Sequence, residues 1–416
     1  MGFYSSPRWS NEITDCSMPM TFDTYSNCSF GCLYCFSQYL RALGHSGDSY
    51  LHKKVKSVNV ERVKRIFRES LDGKNVSQFS AYIQKRIPMQ WGGLSDQFDG
   101  FERRFGVTLE LLKFFKEIDY PLSFSTKSVW WTEDERYTSL FKDQKNWNVK
   151  FSIITLDEEK ARQIERNVPT PESRLAAISR LANLNCGGAT LRLRPFIIGI
   201  SDPSYKELIK RAYSVGASAL STEFFCVDRR SPTLKQYFPT INKLCGFDLS
   251  RFYIKYSVGS GYLRLNRNVK RPYITAMKQI CDELGMRFYV SDVHFKELCP
   301  NSCCCGLSED WNYSRGQWTE ALMIAKKNGK VYFKDISNDI LTLHTYEWRR
   351  TEGYNTNTSE RAAKFYGMSM ADFLRYVWNN PQNGQSPYTM YEGILVPDGK
   401  DDDGNIIYRY NAEVSL

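Results

Sequence analysis

Cys28-Ser29-Phe30-Gly31-Cys32-Leu33-Tyr34-Cys35 carries three thiols at spacings of four and three. The octapeptide follows a short β-type run, Thr21 to Ser26, and leads into a stretch that reads as a helix from Leu33 to about Leu43. Small, tightly turning residues between the thiols let several sulfurs converge on one site, and Gly31 admits a backbone geometry that other residues resist. Three thiolates satisfy three irons of a [4Fe–4S] cube and leave the fourth iron open, whereas most cysteine-ligated electron-transfer clusters use four. A missing fourth ligand implies that an exogenous group binds there. Zinc is the other reading of clustered thiols, but it favours paired Cys-x2-Cys or Cys/His sets with four ligands.

Outward from this loop, short β-type runs alternate with amphipathic helical runs. Strands are expected at Ile87 to Trp91, Leu122 to Thr126, Val149 to Thr155, Leu191 to Ile198, Ala217 to Phe225 and Arg287 to Val290. Val58 to Leu71 reads as a helix rich in Arg and Lys. Thr108 can cap a helix with Leu111, Phe114, Phe115 and Ile118 inward. Thr170-Pro171 opens another, Asp202-Pro203 starts the next, and a helix carrying Ile274, Met277, Cys281 and Leu284 stops at Gly285. This spacing implies a parallel sheet, and six or seven βα units suit a partial or complete barrel. The expected fold is α/β, a partial (β/α)6-type barrel over 21–305, preceded by an arm over 1–20 and followed by an α+β extension over 306–416. In the extension a helix is expected from Trp318 to Lys327 and a strand-like run from Lys330 to Ile336. Working residues in such barrels lie at the C-terminal ends of the strands.

Composition narrows the function classes. The 416 residues are 42% hydrophobic and 25% charged, which excludes collagen, coiled-coil and wholly disordered chains. No stretch approaches the roughly 20 apolar residues that span a bilayer, and no secretory signal is visible, so a cytoplasmic protein without a membrane partner is expected. Twelve cysteines in a chain this long suggest metal ligands or reduced thiols rather than a disulfide scaffold. With four histidines, a His-based metal or triad site has little material. Lys and Arg number 56 against 46 Asp and Glu, and the excess is uneven: residues 1–300 hold 44 against 31, and residues 301–416 hold 12 against 15. A basic barrel fits either a polyanionic partner or a solvated surface.

The octapeptide resembles the cluster motif of the radical S-adenosylmethionine (radical SAM) superfamily, with Tyr34 at the usual aromatic position. Trp91-Gly92-Gly93-Leu94-Ser95-Asp96-Gln97-Phe98, Ser125-Thr126-Lys127-Ser128, Phe151-Ser152-Ile153-Ile154-Thr155 and Arg192-Leu193-Arg194-Pro195 follow in an order similar to the spore photoproduct lyase-like group. The likeness covers roughly residues 20–200 and is weaker to about 306. It implies a radical SAM barrel in which Cys28, Cys32 and Cys35 hold a [4Fe–4S] cluster. SAM would chelate the open iron, and its one-electron reduction would give methionine and a 5′-deoxyadenosyl radical that takes a hydrogen atom from substrate. It further implies that Lys127 pairs with the SAM carboxylate, that Ser152 hydrogen-bonds near it, and that Gly92, Gly93 and Ser95 contact SAM. A solvated lysine and a plain turn are the bland alternatives. Arg192 and Arg194 alternate on one strand; facing inward they would bind a phosphate or the SAM carboxylate, facing outward they would meet helices.

One departure is informative. In the pattern of that group a hydrogen-donating cysteine precedes a Ser-Asp pair on the second strand; matched on Ser95-Asp96, this chain has Gly93 there. Cys226 and Cys186 are the alternative donors, against the commoner role of a lone cysteine as a small buried hydrophobe. A second thiol group, Cys299, Cys303, Cys304 and Cys305, reads as an auxiliary iron–sulfur or zinc site, with Cys16, Cys245 or His294 as further ligands, or as non-metal thiols near the barrel mouth. The substrate implied is a modified or damaged pyrimidine in DNA, for a lyase, isomerase or base-modifying activity, with Lys and Arg at 53–68 and Arg229-Arg230 gripping phosphates. A flavodoxin or ferredoxin would supply the electron. The alternative within catalysis is a peptide- or protein-modifying radical SAM enzyme with an auxiliary cluster and a substrate-binding module at 307–416.

Overall fold

The computed structural model describes residues 5–9, 18–41, 52, 54–229, 231–258, 262–301, 303–307, 318–336 and 370–414. Seven parallel strands follow one another in chain order: β1 (Met20–Phe22), β2 (Met89–Trp91), β3 (Leu122–Thr126), β4 (Trp147–Ser152), β5 (Ala189–Phe196), β6 (Ala219–Phe224) and β7 (Arg287–Val290). An edge strand that the sequence did not signal, Arg8–Trp9, runs antiparallel along β1, with Arg8 opposite Thr21. The sheet is the expected partial barrel with one more unit than the six-fold form, and no pairing closes it among the described residues.

Parallel strands covered on both faces usually read as continuous apolar runs. Here β3, β4 and β5 alternate over 122–125, 147–152 and 189–194, before a register shift between Leu193 and Phe196. Leu122, Phe124, Trp147, Val149, Phe151, Leu191 and Leu193 are buried among the helices, where Phe124 meets Trp147 at 5.7 Å and Phe141 meets Trp147 at 5.0 Å. Between them Ser123, Ser125, Asn148, Lys150, Ser152, Thr190, Arg192 and Arg194 face the barrel interior. The period-two pattern therefore builds a polar lumen inside an aromatic shell.

The helices start and stop as their local chemistry dictates. Pro171–Ala182 opens with Pro171 in its first turn and the Thr170 hydroxyl accepting from Ser173 N at 3.2 Å. Arg267–Leu284 ends on Gly285 at φ +70°, the left-handed stop that glycine permits. Val60–Leu71 begins at Asn59, whose side chain accepts from Arg62 N at 2.8 Å. Thr108 is not a cap. The helix runs Val107–Glu117, and its free N–H groups at Thr108 and Leu109 donate to the Glu102 carboxylate at 2.8 and 2.9 Å. The Thr108 hydroxyl instead bonds the Gln97 carbonyl at 2.8 Å. After Asp202-Pro203 the chain makes a turn first, and the helix is Tyr205–Ser214.

The extension has a core of its own, built on Trp318, Leu322, Trp378, Leu395 and Tyr408. Helix Trp318–Asn328 packs on a three-stranded antiparallel sheet of Lys330–Val331, Leu395–Lys400 and Ile406–Tyr410. The strand expected from Lys330 to Ile336 stops at Val331, because the Asp335 carboxylate accepts from Tyr332 N at 2.9 Å and winds Phe333–Asp335 into a 3-10 turn. Polar contacts that tie extension to barrel include Lys326 to the Glu297 carbonyl at 2.6 Å, Tyr410 to the Glu297 carboxylate at 3.1 Å, and His294 to Glu392 at 3.0 Å. Among the described residues no helix is long and apolar enough to cross a membrane.

Candidate active site

The thiol loop leaves the C-terminal end of β1 and is clamped by its backbone. Asp99 accepts from Ser29 N at 2.8 Å and from its hydroxyl at 3.0 Å. Asn167 donates its N–H to the Phe30 carbonyl at 3.1 Å and its side-chain amide to the Ser29 carbonyl at 2.9 Å. Leu33 N reaches the Ile164 carbonyl at 2.9 Å, and the Gln38 amide holds the Cys32 carbonyl at 2.7 Å. Gly31 sits at φ +63°. These bonds use the loop's backbone and leave Cys28, Cys32 and Cys35 as free thiols.

Burial raises the Cys28 thiol well above its ordinary range, with Asp99 and Asp96 adding to the shift, and pushes Cys32 up to about 12. Thiolates at such positions need a cation, which a cationic metal group supplies. Among the described residues no three Cys, His, Asp or Glu side chains gather as ligands of one ion. Three free thiols on one short loop, each able to serve a different iron of a cube, are a donor set that fits an iron–sulfur cluster.

The segment after β2 is shaped by carboxylates. Asp23 accepts from Leu94 N at 2.7 Å and Ser95 N at 2.9 Å, and its other oxygen pairs with Arg8 at 3.0 Å. Gly92 lies at φ +85°, and a Cβ there would stand 2.3 Å from Gln97 Oε1 and 2.6 Å from the Ser125 carbonyl. At Gly93 a Cβ would stand 2.6 Å from Arg8 Nη2. The Ser95 hydroxyl donates to the Tyr25 carbonyl at 2.9 Å, so it fixes the loop. Asp96 accepts from Lys127 N at 2.6 Å, Phe98 N at 2.9 Å and the Thr126 hydroxyl at 2.9 Å, joining this segment to the end of β3.

Lys127, at that strand end, stands over the Tyr34 ring at 5.6 Å. Behind both lies Glu165, which the sequence did not single out: it accepts from the Tyr34 hydroxyl, pairs with Arg174 at 2.8 Å and lies 3.9 Å from Lys127. Arg174 also donates to the Ser152 carbonyl at 2.6 Å. Lys127 and Arg174 thus share the Glu165 carboxylate beside the thiol loop, with Asp96 on the other side of Lys127.

Arg192 and Arg194 both face inward. Arg192 donates to the Ser152 hydroxyl at 3.2 Å; Arg194 donates to the Ser291 hydroxyl at 3.1 Å and is ion-paired with Glu223. Lower in the lumen, Lys150 donates to Gln90 Oε1, and Gln90 donates to the Ser125 hydroxyl at 3.0 Å.

No family model matches the chain, and no curated protein matches it. Among solved structures, spore photoproduct lyase complexed with dinucleoside spore photoproduct is similar at a TM-score of 0.50 and 17% identity, over 66% of this chain and 76% of that one. A doubly substituted variant of the lyase with bound AdoMet and the same dinucleoside gives 0.50, 17%, 66% and 77%. A singly substituted variant with the dinucleoside gives 0.50, 16%, 68% and 80%. Over about two thirds of its length the chain has the fold of spore photoproduct lyase.

On this fold the remaining thiols fall into distinct places. Cys226 follows β6 at the C-terminal end of the barrel strands; its thiol contacts the Phe224 carbonyl at 3.6 Å and the Tyr262 hydroxyl. Burial, then Glu223 and Asp292, pushes that thiol up to about 12, so it stays S–H. Cys186 precedes β5, at the opposite end of the strands from the thiol loop, which separates it from the candidate site. Residues 303–307 fold into the lower lumen, where the Ser221 hydroxyl bonds the Cys304 carbonyl at 3.1 Å, the Asn148 amide the Cys305 carbonyl at 3.3 Å, and Tyr289 the Leu307 carbonyl at 2.8 Å. Cys299 spends its thiol on the Val290 backbone at 3.3 and 3.5 Å, and Cys303 accepts from Cys305 N at 3.2 Å. Of the further ligands considered, His294 faces Glu392 and Cys245 packs on Gly199. Cys16 lies outside the described residues. So do Lys53 and Arg230 of the expected phosphate grip, while Lys64 pairs with Glu61 and Glu110, and Arg68 with Glu117.

Proposed function

We propose that this chain is a radical SAM enzyme acting on a modified or damaged pyrimidine in DNA, with repair-like or hypermodification chemistry. The observation that carries the radical SAM part of the reading is the clamped trio of free thiols beside Lys127 and the buried Glu165–Arg174 pair at the C-terminal end of the strands; the likeness to the lyase complexed with its dinucleoside supports the DNA substrate. Cys28, Cys32 and Cys35 would hold a [4Fe–4S] cluster. When bound, cluster and SAM supply a 5′-deoxyadenosyl radical that abstracts a hydrogen atom from substrate. The chain's own part is binding and orientation. Gly92 and Gly93 offer backbone without side chains, Lys127 and Arg174 offer charge to the SAM carboxylate, and the Tyr34 ring covers the loop. Cys226, kept as S–H, is a hydrogen donor to the product radical. An electron donor of the flavodoxin or ferredoxin type completes the scheme. Residues 306–416 serve as a substrate-binding module.

Anaerobic reconstitution tests it directly. One cluster requires about four irons per chain and two require about eight. Dithionite and SAM should yield 5′-deoxyadenosine, and Cys32→Ala should abolish it; no product from the wild type sinks the catalytic reading. Duplex binding that falls steeply between low and high salt supports the DNA substrate, and salt-independent binding removes it.

A further inference from the structure

The wall formed by β4, β5 and β6 carries more positive charge than its facing carboxylate neutralises. Lys150, Arg192 and Arg194 project inward from two adjacent strands. Glu223 faces them from β6 and is already ion-paired with Arg194. Lys150 gives its ammonium to the neutral Gln90 amide oxygen, and burial holds its pKa below the ordinary lysine range. Arg192 stays charged near neutral pH: burial, and then Arg194, lower it only to about 10. Of the five N–H donors of a guanidinium, the Ser152 hydroxyl takes one. Ser152 also divides the charged groups of the site, with its carbonyl on Arg174 and its hydroxyl on Arg192. One cationic pair, Lys127 with Arg174, lies on the thiol-loop side. A second, Arg192 with Arg194, lies on the lumen side.

We propose that Arg192, backed by Arg194, holds an anionic oxygen group carried by the unit of substrate that enters the barrel, either a phosphate or a carboxylate. A planar guanidinium fork with free donors matches the two oxygens of such a group. The inference rests on the reading above that the lumen is a radical SAM active site with the SAM carboxylate on Lys127 and Arg174.

Equilibrium binding to the reconstituted protein at saturating SAM tests it with three probes: thymidine, thymidine 5′-monophosphate and 5-carboxy-2′-deoxyuridine. A charge-assisted contact should make one of the anionic probes bind about tenfold tighter than thymidine or better, and which one does so tells phosphate from carboxylate. Arg192→Gln should bring that probe to the level of thymidine, Arg192→Lys should restore part of the preference, and SAM affinity should change less than about twofold. Failure of both anionic probes to bind better than thymidine overturns the proposal. So does an Arg192→Gln protein that loses SAM affinity while keeping the preference, since the arginine would then serve the SAM carboxylate. Formation of 5′-deoxyadenosine by the wild type with dithionite needs no substrate anion. Its absence would defeat the parent reading, whereas its presence without an anion preference defeats this inference alone.

Discussion

Glu165 is the carboxylate on which the buried charges beside the thiol loop depend, and replacing it by Gln isolates that role. Its side chain is 1% exposed, as is that of Arg174 at 2.8 Å; Lys127 lies 3.9 Å away at 14%. Glutamine keeps an acceptor for the Tyr34 hydroxyl and nearly the same volume, so the change removes charge and little else. Breaking a buried pair by removing one partner costs about 3–5 kcal/mol, because the other charge stays buried without compensation. For a domain of this size each kcal/mol lowers Tm by roughly 2–4 °C, so a fall of roughly 6–20 °C is expected. Thermal melts of the metal-free protein followed by circular dichroism measure it. The companion Arg174→Met should cost a similar amount, and the double change Glu165→Leu with Arg174→Met should cost much less than the sum, since neither charge is then left alone. A Glu165→Gln protein within about 1 kcal/mol of the wild type would behave like an exposed pair and would refute the account of this group.

Gly92→Ala should destabilise by about 1–2 kcal/mol for its left-handed backbone alone, and further for the clash with Gln97 Oε1 and the Ser125 carbonyl. Gly73→Ala, at φ +87° with open space around it, should show the backbone cost only; equal costs in denaturant titrations would contradict the packing at Gly92. Thr170→Ala removes the hydroxyl that accepts from Ser173 N and should cost about 1 kcal/mol by the same titrations. Because burial pushes the Cys226 thiol up to about 12, its thiolate fraction grows only as pH approaches that value; peptide mapping after iodoacetamide should find it slow to alkylate at pH 8 and 9, and rapid labelling there would contradict its placement.

The amino-acid sequence by itself determined what depends on near neighbours. The Cys28–Cys35 spacing, the period-two alternation over 147–152 and 189–194, the Thr170-Pro171 start and the Gly285 stop are set by dihedral preference and side-chain period, which act over a few residues. Only the tertiary structure decided what depends on pairing across the chain. Tyr34 meets Glu165 across 131 positions, and Asn148 meets the Cys305 carbonyl across 157. The alternation showed that Arg192 and Arg194 share a face, but their inward direction follows from the bonds to Ser152 and Ser291. Glu102 caps a helix outside its own turn, so Thr108 looked like the cap until the carboxylate was placed. A buried charge has no local signature, because what keeps it stable is a partner that folding alone brings near.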